Sequence, residues 1–228
     1  MNIRILELIE GAKQARGLTI IIDVFRAMTV EAYVIANGAA DLIPMGSLDE
    51  AYAYRDAHPG TLLIGERDGR KCPGFDFGNS PSAVKDYDFT GKTVVHTTSA
   101  GTQGIANARF ADEILTGSMV NANAIAEYIK ASGAQDVSLV CMGLAGLEPT
   151  AEDTLCAQYI KSLVEGTCVD LIAGEETCKR TSGAKFFDPK QQDVFPEEDF
   201  YLSLQANKFD FVLGVEQGTD GFMHTVRK

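Results

Sequence analysis

Short apolar runs rich in β-branched residues, most followed by a stretch with helical spacing, constrain this chain more than any other feature. Residues 18–24 (LTIIIDV) read as a buried strand, and a helical pattern over 27–37 stops at Gly38. The rhythm then repeats: strand 40–45 and helix 48–57, strand 61–65, strand 92–96 and helix 103–109, strand 113–116 and helix 122–131, strand 137–142 and helix 151–164. Alternation of this kind predicts a layered α/β/α architecture around a mainly parallel central sheet. The strands are continuously apolar, which fits burial on both faces. Two segments break the rhythm. Residues 66–88 form a long stretch rich in Gly, Pro, Asp and Asn, and long loops in compact domains are commonly functional. After Gly174 the pattern is less regular, ending in a helix near 197–206 and a strand at 211–215. That C-terminal segment fits either a small subdomain over 174–228 or a return to the sheet of one α/β domain spanning 1–228.

Charge narrows the partners. With 20 basic against 32 acidic residues, the net charge is −12. Nucleic acids and anionic membranes are bound through phosphate neutralisation, which such a surface disfavours. A small anion is still admissible, because surface charge is screened beyond about 10 Å and a pocket can reverse the local sign. No apolar run is long enough to span a bilayer and the N-terminus carries no signal-peptide pattern. Five scattered cysteines without a C-x-x-C pair speak for a reducing compartment. The expectation is a cytoplasmic protein, with a homodimer left open as its assembly.

Ligands of open α/β sheets bind beyond the carboxyl ends of the strands. Those ends carry Asp23 and Arg26, then Glu66 and Arg67, then Thr97, Thr98, Ser99, Gly101 and Thr102, and finally the approach to Glu152 and Asp153. Acids, arginines and a hydroxyl-glycine loop therefore fall on one predicted edge. Asp23 admits a structural alternative as an ion pair with Arg26 or a helix cap. Thr150 with Asp153 at the third position likewise fits a capping box. The 97–102 loop leads into a helix and is suited to cradling an oxyanion, although it also fits an ordinary cap. The long loop adds Asp76 and Asn79. His96 reads as a core histidine at a strand end, and no spaced histidine pair suggests zinc. A D-x-D nucleophile loop is absent, since position 25 is Phe, and neither a Walker A nor a C-x5-R signature occurs. On these residues alone, a non-catalytic small-anion binder and an enzyme both stand.

Taken in order, IDVFRAMT (22–29), GERDG (65–69), GFDFGNSP (74–81), TTSAGT (97–102), Asn121-Ala122, AED (151–153) and FPEEDFYLSLQANKFDFV (195–212) resemble the 2-phosphosulfolactate phosphatase family. The resemblance spans nearly the whole chain. It implies a magnesium-dependent phosphatase that converts 2-phospho-3-sulfolactate to 3-sulfolactate and inorganic phosphate, a step of coenzyme M biosynthesis. A related phosphatase acting on another small anionic monoester is the alternative. TTSAGT departs from the Thr-Thr-Asn-Gly-Thr of many relatives. Under this resemblance, magnesium is expected on acids drawn from Asp23, Glu66, Asp76, Glu152 and Asp153. Asp23, Arg26, Glu66 and Glu152 form the expected catalytic set. Arg26, Arg67, Asn79, Thr97, Thr98, Ser99, Gly101 and Thr102 are expected to hold the substrate.

Overall fold

The computed structural model describes residues 1–228. Its strands are β1 (Asn2–Glu7), β2 (Gly17–Ile22), β3 (Asp41–Pro44), β4 (Leu62–Arg67), β5 (Arg70–Lys71), β6 (Thr93–Thr97), β7 (Ala111–Gly117), β8 (Asp136–Cys141), β9 (Leu213–Gln217) and β10 (Met223–Arg227). The helices are α1 (Leu8–Gln14), α2 (Ala27–Ala36), α3 (Leu48–Ala57), α4 (Pro81–Val84), α5 (Gly101–Asn107), α6 (Ala122–Ser132), α7 (Ala151–Glu165), α8 (Leu171–Arg180) and α9 (Glu197–Leu204). None is long and apolar enough to cross a membrane. All five cysteines are free.

The mixed α/β architecture with mostly parallel strands is as the alternating pattern predicts. Its strands fall into two sheets, ordered β1-β8-β2-β7-β9-β10 and β3-β6-β4-β5. Pairings β1–β8, β8–β2, β2–β7, β3–β6 and β6–β4 are parallel, whereas β9, β10 and β5 join antiparallel. Strand runs in a sequence do not state their neighbours, so the division into two sheets was not foreseen. The sheets meet where β10 lies beside β3, and there His224 Nδ1 sits 2.7 Å from Asp41 Oδ1. Burial alone would lower the His224 pKa, but hydrogen bonds to Asp220 and Asp41 outweigh it and raise it.

The larger sheet is centred on β2, whose Ile20, Ile21 and Ile22 are fully buried. One face packs with Ile125 and Ile129 of α6 and Ile160 of α7, the other with Ala12 of α1 and Ile105 of α5. Strand β1 was missed because its half-exposed Asn2–Glu7 run carries polar residues, as an edge strand should. The C-terminal stretch returns to the sheet through β9, which pairs with β7. Ahead of it, Phe186 and Phe200 pack against Phe25 with ring centroids 5.0 and 5.4 Å away. The short link between β2 and α2, which holds Phe25 and Arg26, is thereby covered by residues far along the chain.

The long 66–88 stretch is ordered by local rules. Asp68-Gly69 forms a two-residue hairpin between β4 and β5, with φ of 52° and 76°. Positive φ at both central positions marks a type I′ turn, for which Asp-Gly is among the favoured pairs. The chain then folds back along β4, where the N–H groups of Asp76 and Phe77 donate to Leu63 O at 2.9 and 3.2 Å. Gly65 sits where a Cβ would lie 2.3 Å from Thr97 O, so only glycine lets β4 and β6 close at this point.

Candidate active site

A cleft of about 410 Å³ opens where β2, β4, β6 and β8 end, within the size range of small-molecule sites. Asp23, Arg26, Glu66, Asn79, Ser99, Glu152 and Asp153 line it, so residues from distant motifs do converge. Each acid is more than nine-tenths buried. Buried carboxylates are costly unless paired, hydrogen-bonded or metal-bound, and the four are served very differently.

Glu66 is satisfied by backbone. Its Oε2 accepts from Gly69 N–H at 2.7 Å and its Oε1 from Ser99 N–H at 2.8 Å, so it ties the hairpin turn to the loop after β6. Asp153 plays the same part for β2 and β8. It accepts from Val24 N–H at 2.8 Å and Gly143 N–H at 2.7 Å. The capping-box reading of Thr150 and Asp153 therefore fails, since Asp153 reaches across to other strands and Thr150 makes no side-chain cap. Burial, followed by the charges of Glu152 and Asp23, still raises Asp153 well above the usual carboxylate range.

Asp23 and Glu152 are less well served. Asp23 Oδ1 accepts only a long bond from Ala27 N–H at 3.4 Å. Burial pushes the Asp23 carboxyl up to about 7, the Ala27 bond opposes this, and repulsion from Glu66 and Glu152 adds to it. Glu152 accepts a short bond from the Ser182 hydroxyl on Oε2, which leaves Oε1 free. Burial raises Glu152 too, against that hydrogen bond. Two under-satisfied buried acids with raised pKa in one cleft are the pattern of a cation or proton-transfer site.

The other expected residues divide. Asn79 reaches the cleft and is held from behind, its Oδ1 lying 3.2 Å from His96 Nε2 while His96 Nδ1 lies 3.1 Å from Glu31 Oε1. His96 is a buried strand residue, as expected, yet it supports a cleft residue. Ser99 and Ala100 line the cleft, whereas Thr97, Thr98, Gly101 and Thr102 stand behind that lining. Thr97 Oγ1 accepts from Arg67, and Thr98 and Thr102 bond each other to start α5. Gly101 is a close-approach position, since a Cβ there would meet Met28 Cε at 2.6 Å and Asp23 Oδ2 at 3.1 Å.

Three expectations need correcting. Asp76 is not brought to the cleft. Its Oδ2 accepts from Leu63 N–H at 2.8 Å, and Leu63 precedes Glu66 by three strand positions, roughly 10 Å at a strand's rise. Arg67 turns away, donating to Glu66 O at 2.6 Å, Gly46 O at 2.9 Å and Thr97 Oγ1 at 3.1 Å. Arg26 does line the cleft, but its guanidinium is engaged. It donates to Asp199 Oδ2 at 2.8 Å, Val194 O at 2.9 Å and Gly69 O at 3.0 Å. Its ion-pair partner is thus Asp199, not Asp23. Phe25, Asp68 and the Gly143–Leu144–Ala145 turn also line the cleft; they stand at the strand ends read from the sequence but were given no role there, and the residues missed altogether are Phe195 and Lys185. The motif 195–212 begins at Phe195 and so held a signal for it; nothing in the sequence marked Lys185.

Similarity to known proteins spans these segments. The family described as 2-phosphosulpholactate phosphatase matches residues 3–218. A protein of Bacillus subtilis (strain 168) named probable 2-phosphosulfolactate phosphatase is 32% identical over 216 residues, covering 92% of this chain and 91% of that protein. One of the same name from Caldanaerobacter subterraneus subsp. tengcongensis is 30% identical over 216 residues, covering 87% and 88%. A third, from Caldicellulosiruptor saccharolyticus, is 40% identical over 150 residues, a match spanning 63% of this chain and 61% of that protein. The family's match over residues 3–218 takes in every segment that builds the cleft, from Asp23 to Asp199, and a match of that extent makes this chain a member of the 2-phosphosulpholactate phosphatase family.

Proposed function

We propose that this chain is a phosphoric monoester hydrolase that cleaves 2-phospho-3-sulfolactate to 3-sulfolactate and inorganic phosphate with magnesium bound. One observation carries the reading beyond the family name: Asp23 and Glu152 are buried acids, each with an oxygen left free, in one small cleft. No three His, Cys, Asp or Glu side chains are grouped to enclose a metal ion unaided. Magnesium does not need that, because it commonly binds one or two carboxylates plus waters and substrate oxygens. Asp23 and Glu152 fit this requirement and would hold it. Bound there, the ion would neutralise phosphoryl oxygens and lower the pKa of a water.

The chain's own residues do the positioning. Glu66 and Asp153, saturated by backbone N–H groups, fix the loops that carry Ser99, Gly69, Val24 and Gly143 around the reacting phosphate. Asn79, braced by His96, and the Ser99 hydroxyl offer neutral hydrogen bonds from one wall. Phe25 and Phe195 supply apolar wall that excludes water and strengthens the electrostatics inside. Phosphate release from 2-phospho-3-sulfolactate, measured with magnesium and with EDTA, is the direct test. Absence of release under both conditions would end the reading.

Two further outcomes are expected. Because the folded Asp23 carboxyl holds its proton up to about pH 7, the native state binds more protons than the unfolded chain between the two pKa values. Stability without a cation should therefore fall as pH rises from about 4 to 7, by at most about 4 kcal/mol for this group. Magnesium should restore it at pH 8, since the ion takes the place of the proton that the buried carboxylate has lost. Melting curves at pH 5 and pH 8, with EDTA or magnesium, test this; equal melting with and without magnesium at pH 8 would remove the metal from these acids. Asp76→Asn keeps an acceptor for Leu63 N–H and lies outside the cleft. It should leave magnesium affinity within twofold of the parent, read by calorimetry.

A further inference from the structure

Five carboxylates line the cleft, from Asp23, Glu66, Asp68, Glu152 and Asp153, against two cations, Arg26 and Lys185. A substrate bearing a phosphate, a carboxylate and a sulfonate must be received in these surroundings. The arginines and the main-chain N–H groups around it are committed elsewhere, which leaves only the neutral Asn79 amide and Ser99 hydroxyl of the expected donors. Ser99 N–H and Gly69 N–H are taken by Glu66. Gly143 N–H is taken by Asp153. Arg67 points to main-chain carbonyls and Thr97, and Arg26 spends its hydrogen bonds on Asp199, Val194 and Gly69.

Lys185 is the exception. It is half-buried in the cleft wall and has no carboxylate within salt-bridge distance. It is also firmly mounted. The short helix Ala184–Phe187 that carries it is anchored by the fully buried Phe186, whose ring meets Phe25 at 5.0 Å and Phe195 at 5.7 Å. The Lys185 ammonium lies 5.0 Å from the Phe195 ring and 5.6 Å from that of Phe186, close enough for cation–π attraction. An ammonium set between aromatic faces and facing a cleft, with the charge of Glu152 acting on it but no carboxylate at ion-pair distance, is arranged to receive an anion from outside.

We infer that Lys185 binds the non-reacting anionic end of the substrate, its sulfonate or carboxylate, and so selects small phosphate esters that carry a second anion. This rests on the phosphatase reading for the identity of the substrate, and the division of labour follows from charge. The phosphate needs a site beside Asp23 and Glu152 where a divalent cation can offset the acids. The distal anion needs a protein cation, and Lys185 is the uncommitted one. A charge-assisted hydrogen bond of this kind is worth roughly 10- to 100-fold in affinity.

Equilibrium binding separates this from turnover. Calorimetric titration of the magnesium-loaded protein with 3-sulfolactate, which keeps the carboxylate and sulfonate but lacks phosphate, and separately with inorganic phosphate, is the experiment. Lys185→Ala should weaken 3-sulfolactate binding about 10- to 100-fold and phosphate binding at least fivefold less than that. Lys185→Arg, which keeps the charge, should recover most of the loss. Melting curves of both variants identify any misfolded sample, and Lys185→Met then serves as the neutral variant of similar length. Equal losses for the two anions, or no loss for either, would overturn the assignment, as would a parent protein that does not bind 3-sulfolactate. A parent that binds 3-sulfolactate yet releases no phosphate from its ester would sink the phosphatase reading and leave the Lys185 assignment standing.

Discussion

Asp23→Asn should lower phosphate release by about a thousandfold while making the cation-free protein melt higher above pH 7. The loss follows from the proposed role, because an amide cannot supply the negative oxygen that a divalent cation requires. Removing one well-placed electrostatic group from an active site typically costs 10²- to 10³-fold. The gain in stability follows from the physics of burial. Asp23 is 6% exposed and its carboxyl is pushed up to about 7, so ionising it at pH 8 works against the fold. Asparagine is close to isosteric, keeps an oxygen for Ala27 N–H, and carries no charge to desolvate. Magnesium should reverse the order, stabilising the parent strongly and the variant weakly. This crossing of melting temperatures distinguishes a site acid from a structural one. A structural Asp23 would give an Asn variant that melts lower under both conditions, and that result would remove the residue from the site.

The sequence made half of this site legible, and the split has a physical basis. Asp23, Glu66, Glu152 and Asp153 stand at or near strand ends, and parallel strands deliver their carboxyl ends to one edge whatever their order in the sheet. Knowing the strands was therefore enough to gather Asp23 with Glu152 and Asp153, which follow β2 and β8 of one sheet, whereas the arrival of Glu66 on β4 depends on how the second sheet meets the first. Asp76 was misread because its loop doubles back along β4, and nothing in GFDFGNSP states that the return pairs Asp76 with Leu63. Hydrogen-bond partners were harder still. Asp153 looked like a helix cap from its spacing, yet its acceptors serve Val24 and Gly143. Lys185 was invisible, because a lone lysine in an irregular segment has no periodicity or motif, and its role comes from which donors around it are already taken. The fold shows the same division: local alternation predicted the elements, while the split into two sheets and the edge strand Asn2–Glu7 depend on pairings that a single sequence does not state.

Arg26→Ala should destabilise the protein by about 3–5 kcal/mol, which for a chain of this size is a fall in melting temperature of roughly 6–20 °C. From the sequence, Arg26 was expected to hold substrate and to belong to the catalytic set. The structure gives it a different first duty. Its guanidinium and the Asp199 carboxylate form an ion pair 2.8 Å long, with side chains 4% and 0% exposed. The same guanidinium holds Val194 O and Gly69 O, so it joins the start of α2, the β4–β5 hairpin and the C-terminal segment around the cleft. Its partners lie up to 173 positions away, beyond the reach of any local pattern. Truncating Arg26 leaves Asp199 buried with only Ser80 Oγ and Ser82 N–H, each at 2.9 Å, and breaking one side of a buried pair is worse than lacking the pair. The double variant Arg26→Met with Asp199→Asn should therefore melt above Arg26→Ala, since it removes the stranded charge, fills the space and keeps an acceptor for Ser82 N–H. Both variants should also lose turnover, because the Asp68-Gly69 turn and Phe195 would no longer be held over the cleft. If Arg26→Ala melts with the parent and only turnover falls, the guanidinium acts on the substrate, and the clamp described here is not what holds the C-terminal segment in place.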